Sequence, residues 1–198
     1  MRSVTPRDLL GHCPRCLLQD EICVCAVLPR VAARTEIVLI QHTAELMLTS
    51  NTGRFVALSM PSARIVGYGG GEPFDAACLS EPGTALLYCS GPARPLEFVP
   101  RRLIVLDGSF RQARRMYKRQ AALRELPELA LPAPSVTPTR LRRPTHPDGM
   151  STIEAIASAL SLLEGPACAA PLWALHAELV RRADRMRGRK REIVTSGP

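Results

Sequence analysis

Aromatic residues are scarce, at 4% of the 198-residue chain. A broad platform for stacking single-stranded bases is therefore excluded. Lysine is scarcer still: of the 26 basic residues only Lys118 and Lys190 are lysines. No apolar run approaches the roughly 18 residues that a membrane span needs. The opening stretch MRSVTPRDLLGHCPRC lacks the apolar core of a secretion signal. Internal repeats are absent, which removes coiled-coil and collagen-like classes. There is no G-x-G-x-x-G, P-loop, HExxH or nucleophile elbow. GYGGGEP at 67–73 is glycine-rich but lacks the spacing of a phosphate cradle.

What is present points to a soluble, cytoplasmic α/β protein. Apolar residues make up 46% of the chain, enough to fill a core and to exclude disorder as a class. The length suits one domain, or one domain with a small appendage. The formal net charge is +8, which favours a polyanionic partner such as nucleic acid.

Four of the seven cysteines, Cys13, Cys16, Cys23 and Cys25, fall within 13 residues as C-x2-C-x6-C-x-C. A CxxC turn offers two thiolates from one knuckle, and four thiolates complete a tetrahedral shell. Disulfides do not suit a cytosolic chain, and a redox pair does not need two further thiols. The cluster is read as a structural zinc site, with His12 a bystander. Cys78, Cys89 and Cys168 lie in apolar surroundings and read as buried small hydrophobes.

Four aliphatic runs predict strands: Thr35 to His42, Ala63 to Gly69, Thr84 to Cys89 and Arg102 to Asp107. Their near-continuous apolar character is that of strands buried on both faces. Helical patterns occupy 50–60, 109–121, 151–164 and 171–191. The alternation predicts a mainly parallel sheet with flanking helices. The segment from Pro127 to Pro147 is read as loop, with a short strand at LALPA.

Ser109-x-x-Gln112 and Ser151-x-x-Glu154 are two capping boxes. Loops at the carboxyl ends of strands are where open α/β sheets bind ligands. The helix from Ser109 has an apolar stripe of Phe110, Ala113, Met116, Tyr117 and Ala121. Its other face carries Arg111, Arg114, Arg115, Lys118 and Arg119 with no acid, which suits a nucleic-acid-facing surface. Seven basic residues between Arg181 and Arg191 repeat the theme, with Asp184 the lone acid in that span.

In order along the chain stand CPRC…CVC, SNTGR at 50–54, LDGSFRQARRM at 106–116 and RLRR…STIEAIASAL at 140–160. Together they resemble the DTW-domain family over residues 12 to 165. The family's Asp-x-Thr-Trp motif is here Asp107-Gly108-Ser109-Phe110, with one hydroxyl and one aromatic exchanged for others of their type. The resemblance implies a SPOUT-like fold with a knotted chain, divided into a cysteine knuckle (1–30) and a catalytic domain (31–198). It implies transfer of the 3-amino-3-carboxypropyl group of S-adenosylmethionine to uridine N3 in tRNA. Asp107 then becomes the catalytic residue. Tyr88, Ser90, Gly91, Ser109, Phe110, Gln112, Ser151, Thr152 and Glu154 become contacts for S-adenosylmethionine. Asn51, Thr52, Arg54, Arg114, Arg115, Lys118, Arg140, Arg142 and Arg143 become contacts for tRNA. The chain is expected to act as a monomer or homodimer, away from membranes. Two further classes fit the same residues: a SPOUT-type RNA methyltransferase and a non-catalytic zinc-dependent RNA-binding protein.

Overall fold

The computed structural model describes residues 10–71, 74–87, 96–129, 131 and 149–195. Among them a four-stranded, all-parallel sheet runs in the order β2-β1-β4-β3. Its strands are β1 (Glu36–His42), β2 (Ala63–Tyr68), β3 (Thr84–Leu87) and β4 (Arg102–Asp107). The helices are α1 (Gly53–Ser59), α2 (Phe110–Arg119), α3 (Ala121–Glu125), α4 (Thr152–Glu164) and α5 (Pro166–Thr195). None of the described helices is long and apolar enough to cross a membrane.

The two-residue period of a strand divides the core in two. Ile37, Leu39, Leu103 and Val105 face one way, into a cluster with α1, α4 and α5. Val38, Ile40, Ile104 and Leu106 face the other way, against Ala113 and Met116 of α2 and Leu123 of α3. Each large aliphatic side chain so buried contributes about 1.5–3 kcal/mol relative to exposure. At the amino edge of the sheet, Glu36 accepts from Arg64 at 2.9 Å and from Arg102 at 2.6 Å, tying β1 to both of its neighbours.

Three sequence expectations need correction. The strand at Ala63 is an edge strand with no fully buried residue, and Ile65 is 38% exposed. Burial on both faces applies to β1, β3 and β4; β3 is also an edge strand, but the segment at Pro127 and Leu129 covers its outer side. The last helix starts at Pro166 rather than 171. Proline is pre-organised for the first helical position, and Pro171 one turn later removes a single hydrogen bond. Phe110 does not join the buried stripe of α2: it is 52% exposed, being the first helical residue beside the turn that leaves β4. In the LALPA segment Leu129 accompanies β3 through backbone hydrogen bonds of 2.8 Å between Leu129 N and Leu86 O and between Leu86 N and Pro127 O.

The knuckle packs on this frame. Cys16, Leu18 and Val24 belong to the same apolar cluster as Ile37, Phe55 and Leu179. Arg182 on α5 donates to the carbonyl of Cys23, and Arg54 on α1 donates to the carbonyl of Cys16.

Candidate functional site

β1 and β4 are adjacent, but the helices that follow them lie on opposite faces of the sheet. α1 covers the side of Leu39 and α2 covers the side of Ile40. The loops leaving the two strands therefore diverge and open a crevice at the carboxyl edge, the topological switch point of an open α/β sheet. Gln41 and Asp107 face each other there in register.

Asp107 is 2% exposed, and its carboxylate accepts three side-chain hydrogen bonds. Gln41 Nε2 donates to Oδ2 at 2.6 Å and Asn51 Nδ2 to the same oxygen at 2.8 Å. Thr152 Oγ1 donates to Oδ1 at 2.5 Å. Asn51 is the hub of the network. Its Oδ1 accepts from Gln41 Nε2 at 3.2 Å and from the backbone N–H of Arg54 at 3.1 Å. Thr52 Oγ1 accepts from Ile153 N at 3.2 Å, which stitches the start of α1 to the start of α4. A carboxylate has about four acceptor directions, so three fixed donors leave little of Asp107 uncommitted.

The remaining expected contacts are distributed unevenly. Both capping boxes are formed. Ser109 N and Oγ both donate to Gln112 Oε1, at 2.6 and 2.7 Å, and Ser151 N donates to Glu154 Oε2 at 2.8 Å. These side chains are thus engaged in starting α2 and α4 at the crevice. Arg54, expected to meet a phosphate or carboxylate, spends its guanidinium on the carbonyls of Cys16, Leu46 and Leu48. Burial pulls its pKa below the usual arginine value, against the charges of Cys16 and Asp107. Tyr88, Ser90, Gly91, Arg140, Arg142 and Arg143 lie outside the described residues.

Arg111, Arg114, Arg115, Lys118 and Arg119 are exposed and line one open groove along α2. Among the described residues none of the five is paired with an acid. The basic end of α5 is different. Arg181 and Arg182 both bind Glu178, each at 2.5 Å, and Arg187 binds Asp184 at 2.8 Å. Glu178 lies one turn before the basic run, so counting charges from Arg181 onward missed it.

The four clustered thiols converge. Their sulfur atoms all lie within 4.8 Å of one another, with Cys13–Cys25 at 3.6 Å and Cys16–Cys23 at 3.7 Å. A tetrahedron with metal–sulfur bonds of about 2.3 Å has sulfur–sulfur edges of about 3.8 Å, so the cluster could hold a metal ion. Leu17 makes the turn with φ 60, the left-handed region, and Cys13 N and Leu18 O close it at 2.8 Å. The backbone N–H of Cys16 lowers the Cys13 thiol to about 6, while burial pushes Cys16 and Cys25 up. Crowded, desolvated thiols of this kind are the donor set that a cation would compensate.

Sequence reasoning missed Gln41, His42 and Gly53. A polar residue at the end of an otherwise buried strand was the available signal for Gln41. Gly53 lies within the SNTGR motif, but the motif does not give the reason for a glycine there. A Cβ there would stand 2.7 Å from Asp107 Oδ2, so only glycine lets α1 begin against the carboxylate.

The fold and site define an α/β protein with a polar network at its switch point, a basic helix beside it and a cysteine cluster at one end. A model of the DTW domain matches residues 11–183, and the chain belongs to that family. It is similar to tRNA-uridine aminocarboxypropyltransferase 2 of Drosophila melanogaster, 29% identical over 177 residues, 82% of this chain and 70% of that protein. The protein of the same name from Macaca fascicularis is 27% identical over 176 residues, and that from Mus musculus 28% over 172. The matched part of this chain spans 59% and 58% of those two proteins. No solved structure matches the chain.

Proposed function

We propose that this chain is a tRNA-uridine aminocarboxypropyltransferase. The carrying observation is that Asp107 of the family motif is locked at the switch point of the sheet, where a helix with five exposed cations begins. S-adenosylmethionine would supply the 3-amino-3-carboxypropyl group, leaving as 5′-methylthioadenosine. The N-terminal turns of α2 and α4, opened by Ser109 and Ser151, suit its carboxylate, because backbone N–H groups gather there. The α2 groove follows tRNA phosphates, with Arg114, Arg115 and Lys118 as its contacts. Asp107 holds Gln41, Asn51 and Thr152 in place, and it meets the uridine imide when the Thr152 hydroxyl turns away. The SPOUT-like, knotted path and the split into a knuckle and a catalytic domain belong to this proposal; the all-parallel sheet supports the first. Cys13, Cys16, Cys23 and Cys25 hold one zinc ion as a structural centre, since four thiolates leave no open position.

Purified protein incubated with tRNA and S-adenosylmethionine tests the reading by nucleoside mass spectrometry. The expected products are 3-(3-amino-3-carboxypropyl)uridine and 5′-methylthioadenosine. Methylated uridine with S-adenosylhomocysteine would make the chain a methyltransferase. Binding of tRNA without either product would make it an RNA-binding module.

A further inference from the structure

His42 is the last residue of β1, one position beyond Gln41, so its ring lies on the opposite face of the sheet from Asp107. It stands on the α2 side of the crevice. Its Nδ1 accepts from the backbone N–H of Ala44 at 3.1 Å and lies 3.4 Å from Gln112 Nε2 on α2. A backbone N–H only donates, so Nδ1 carries no proton and the ring is the neutral tautomer with its proton on Nε2. Among the described residues nothing accepts from Nε2.

The surroundings of Nε2 are built from small residues. Gly69, at φ 94, follows β2, and a Cβ on it would stand 3.9 Å from Nε2. Gly108 lies between His42 and Gln112, where an added Cβ would be 3.1 Å from Gln112 Cβ and 3.6 Å from His42 Cβ. The rings of Tyr68 and Phe74 stand alongside, with centroids 6.5 Å from His42 to Tyr68 and 5.5 Å from Tyr68 to Phe74. In a chain with 4% aromatic residues, these two half-buried rings pack against the core on the His42 side of the sheet. Gln112, which touches His42, is followed on α2 by Arg115 and Arg119 of the phosphate-following groove.

Resting on the transferase reading, we propose that His42 is a catalytic residue that donates from Nε2–H to a carbonyl oxygen of the target uracil. As N3 gives its proton to Asp107 and bonds to the incoming carbon, the carbon–sulfur pair departs with sulfur. Negative charge passes through the uracil carbonyls in that process. A fixed neutral donor aimed at one of them stabilises this charge without reorganising. The backbone bond from Ala44 to Nδ1 is the device that fixes the tautomer.

Two substitutions separate this role from the local turn. His42→Asn keeps an acceptor for Ala44 N but has no donor at the position of Nε2. His42→Gln keeps a donor near Nε2 but loses the Nδ1 acceptor. Single-turnover formation of 3-(3-amino-3-carboxypropyl)uridine should fall about 10²-fold in His42→Asn, the size of effect seen when one such donor is removed. Dissociation constants for S-adenosylmethionine and tRNA, and the melting temperature, should stay close to those of the parent protein. His42→Gln should recover most of the rate. Turnover of His42→Asn at the parent rate, or a His42→Gln variant as slow as His42→Asn with both folded, would overturn the role of His42. Absence of product from the parent protein would instead overturn the transferase reading, and this role with it.

Discussion

Gln41 and Asp107 stand opposite one another in the register of β1 and β4, and Gln41 Nε2 donates to Asp107 Oδ2 at 2.6 Å. The pairing carries the order of the sheet into the site. Two buried strands fix the backbone of both residues, so the carboxylate has one position from which to meet its donors. Asn51 and Thr152 then bring the starts of α1 and α4 to that position. A mutation that moves any of these segments should register at Asp107 first.

Gly53→Ala is the sharpest test of that packing. The new methyl would stand 2.7 Å from Asp107 Oδ2 and 3.1 Å from Leu39 Cδ2. The carboxylate is held by three donors and the strand beneath it is buried, so neither neighbour moves easily. The expected cost is about 1–3 kcal/mol, the range for overpacking a core. Melting curves should show a fall in Tm, and nucleoside analysis should show a loss of product larger than the loss of folded protein. An unchanged Tm would mean that α1 shifts freely over β4.

Asp107→Asn separates the charge of the site from its shape. An asparagine keeps one acceptor for Gln41 and Asn51 and turns its amide toward Thr152, whose hydroxyl rotates to accept. Charge-assisted bonds become neutral ones, a loss on the order of 1–2 kcal/mol. Product formation should fall by about 10² or more, the usual share of a general base. Calorimetric binding of S-adenosylmethionine should persist. Near-normal turnover in the folded variant would remove Asp107 from the chemistry and leave it as a strut.

The division between what the sequence revealed and what it hid follows the range of each interaction. β1 and β4 were legible because a strand buried on both faces must be apolar at nearly every position. The caps at Ser109 and Ser151 were legible because a capping box lies within four residues. Arg54 looked like a ligand residue because its partners, the carbonyls of Cys16, Leu46 and Leu48, leave no trace in side-chain identity. His42 escaped notice because its tautomer is set by a backbone N–H. Gly53 escaped because its reason is a carboxylate 54 positions away in the chain, Asp107. At the basic end of α5 the run from Arg181 shows only Asp184 as an acid, and the Glu178 pairs of Arg181 and Arg182 become visible only in the structure.

The cysteine knuckle should carry one metal ion per chain, measurable by elemental analysis after reconstitution. Cys23 is the better residue to replace, because Cys16 is fully buried in the core and its loss would confound metal with packing. Cys23→Ser, or chelation of the parent protein, should lower Tm by several degrees, at about 2–4 °C per kcal/mol for a chain of this size. Limited proteolysis should then cut near residues 10–30 before it cuts the sheet. A reconstituted protein with no stoichiometric metal, and with the same Tm in chelator, would refute the site.

Salt dependence should distinguish the two basic helices. Each phosphate neutralised by a cation releases counterions, so log Kd against log salt has a slope of roughly 0.7–0.9 per contact. On α2, Arg114, Arg115 and Lys118 are exposed, and among the described residues none has an acidic partner. Replacing all three with serine should flatten the slope by about two to three units and weaken tRNA binding at low salt. The loss should be similar for tRNAs of different sequence, because phosphate contacts position the RNA without reading bases. On α5, Arg181 and Arg182 already share Glu178, and Arg182 also holds the carbonyl of Cys23. Their replacement should leave the slope nearly unchanged; that of Arg182 should instead lower Tm by loosening the knuckle. Equal slope changes in the two sets would show that tRNA displaces Glu178 and runs across both helices. No change in either would place the phosphates elsewhere on the surface.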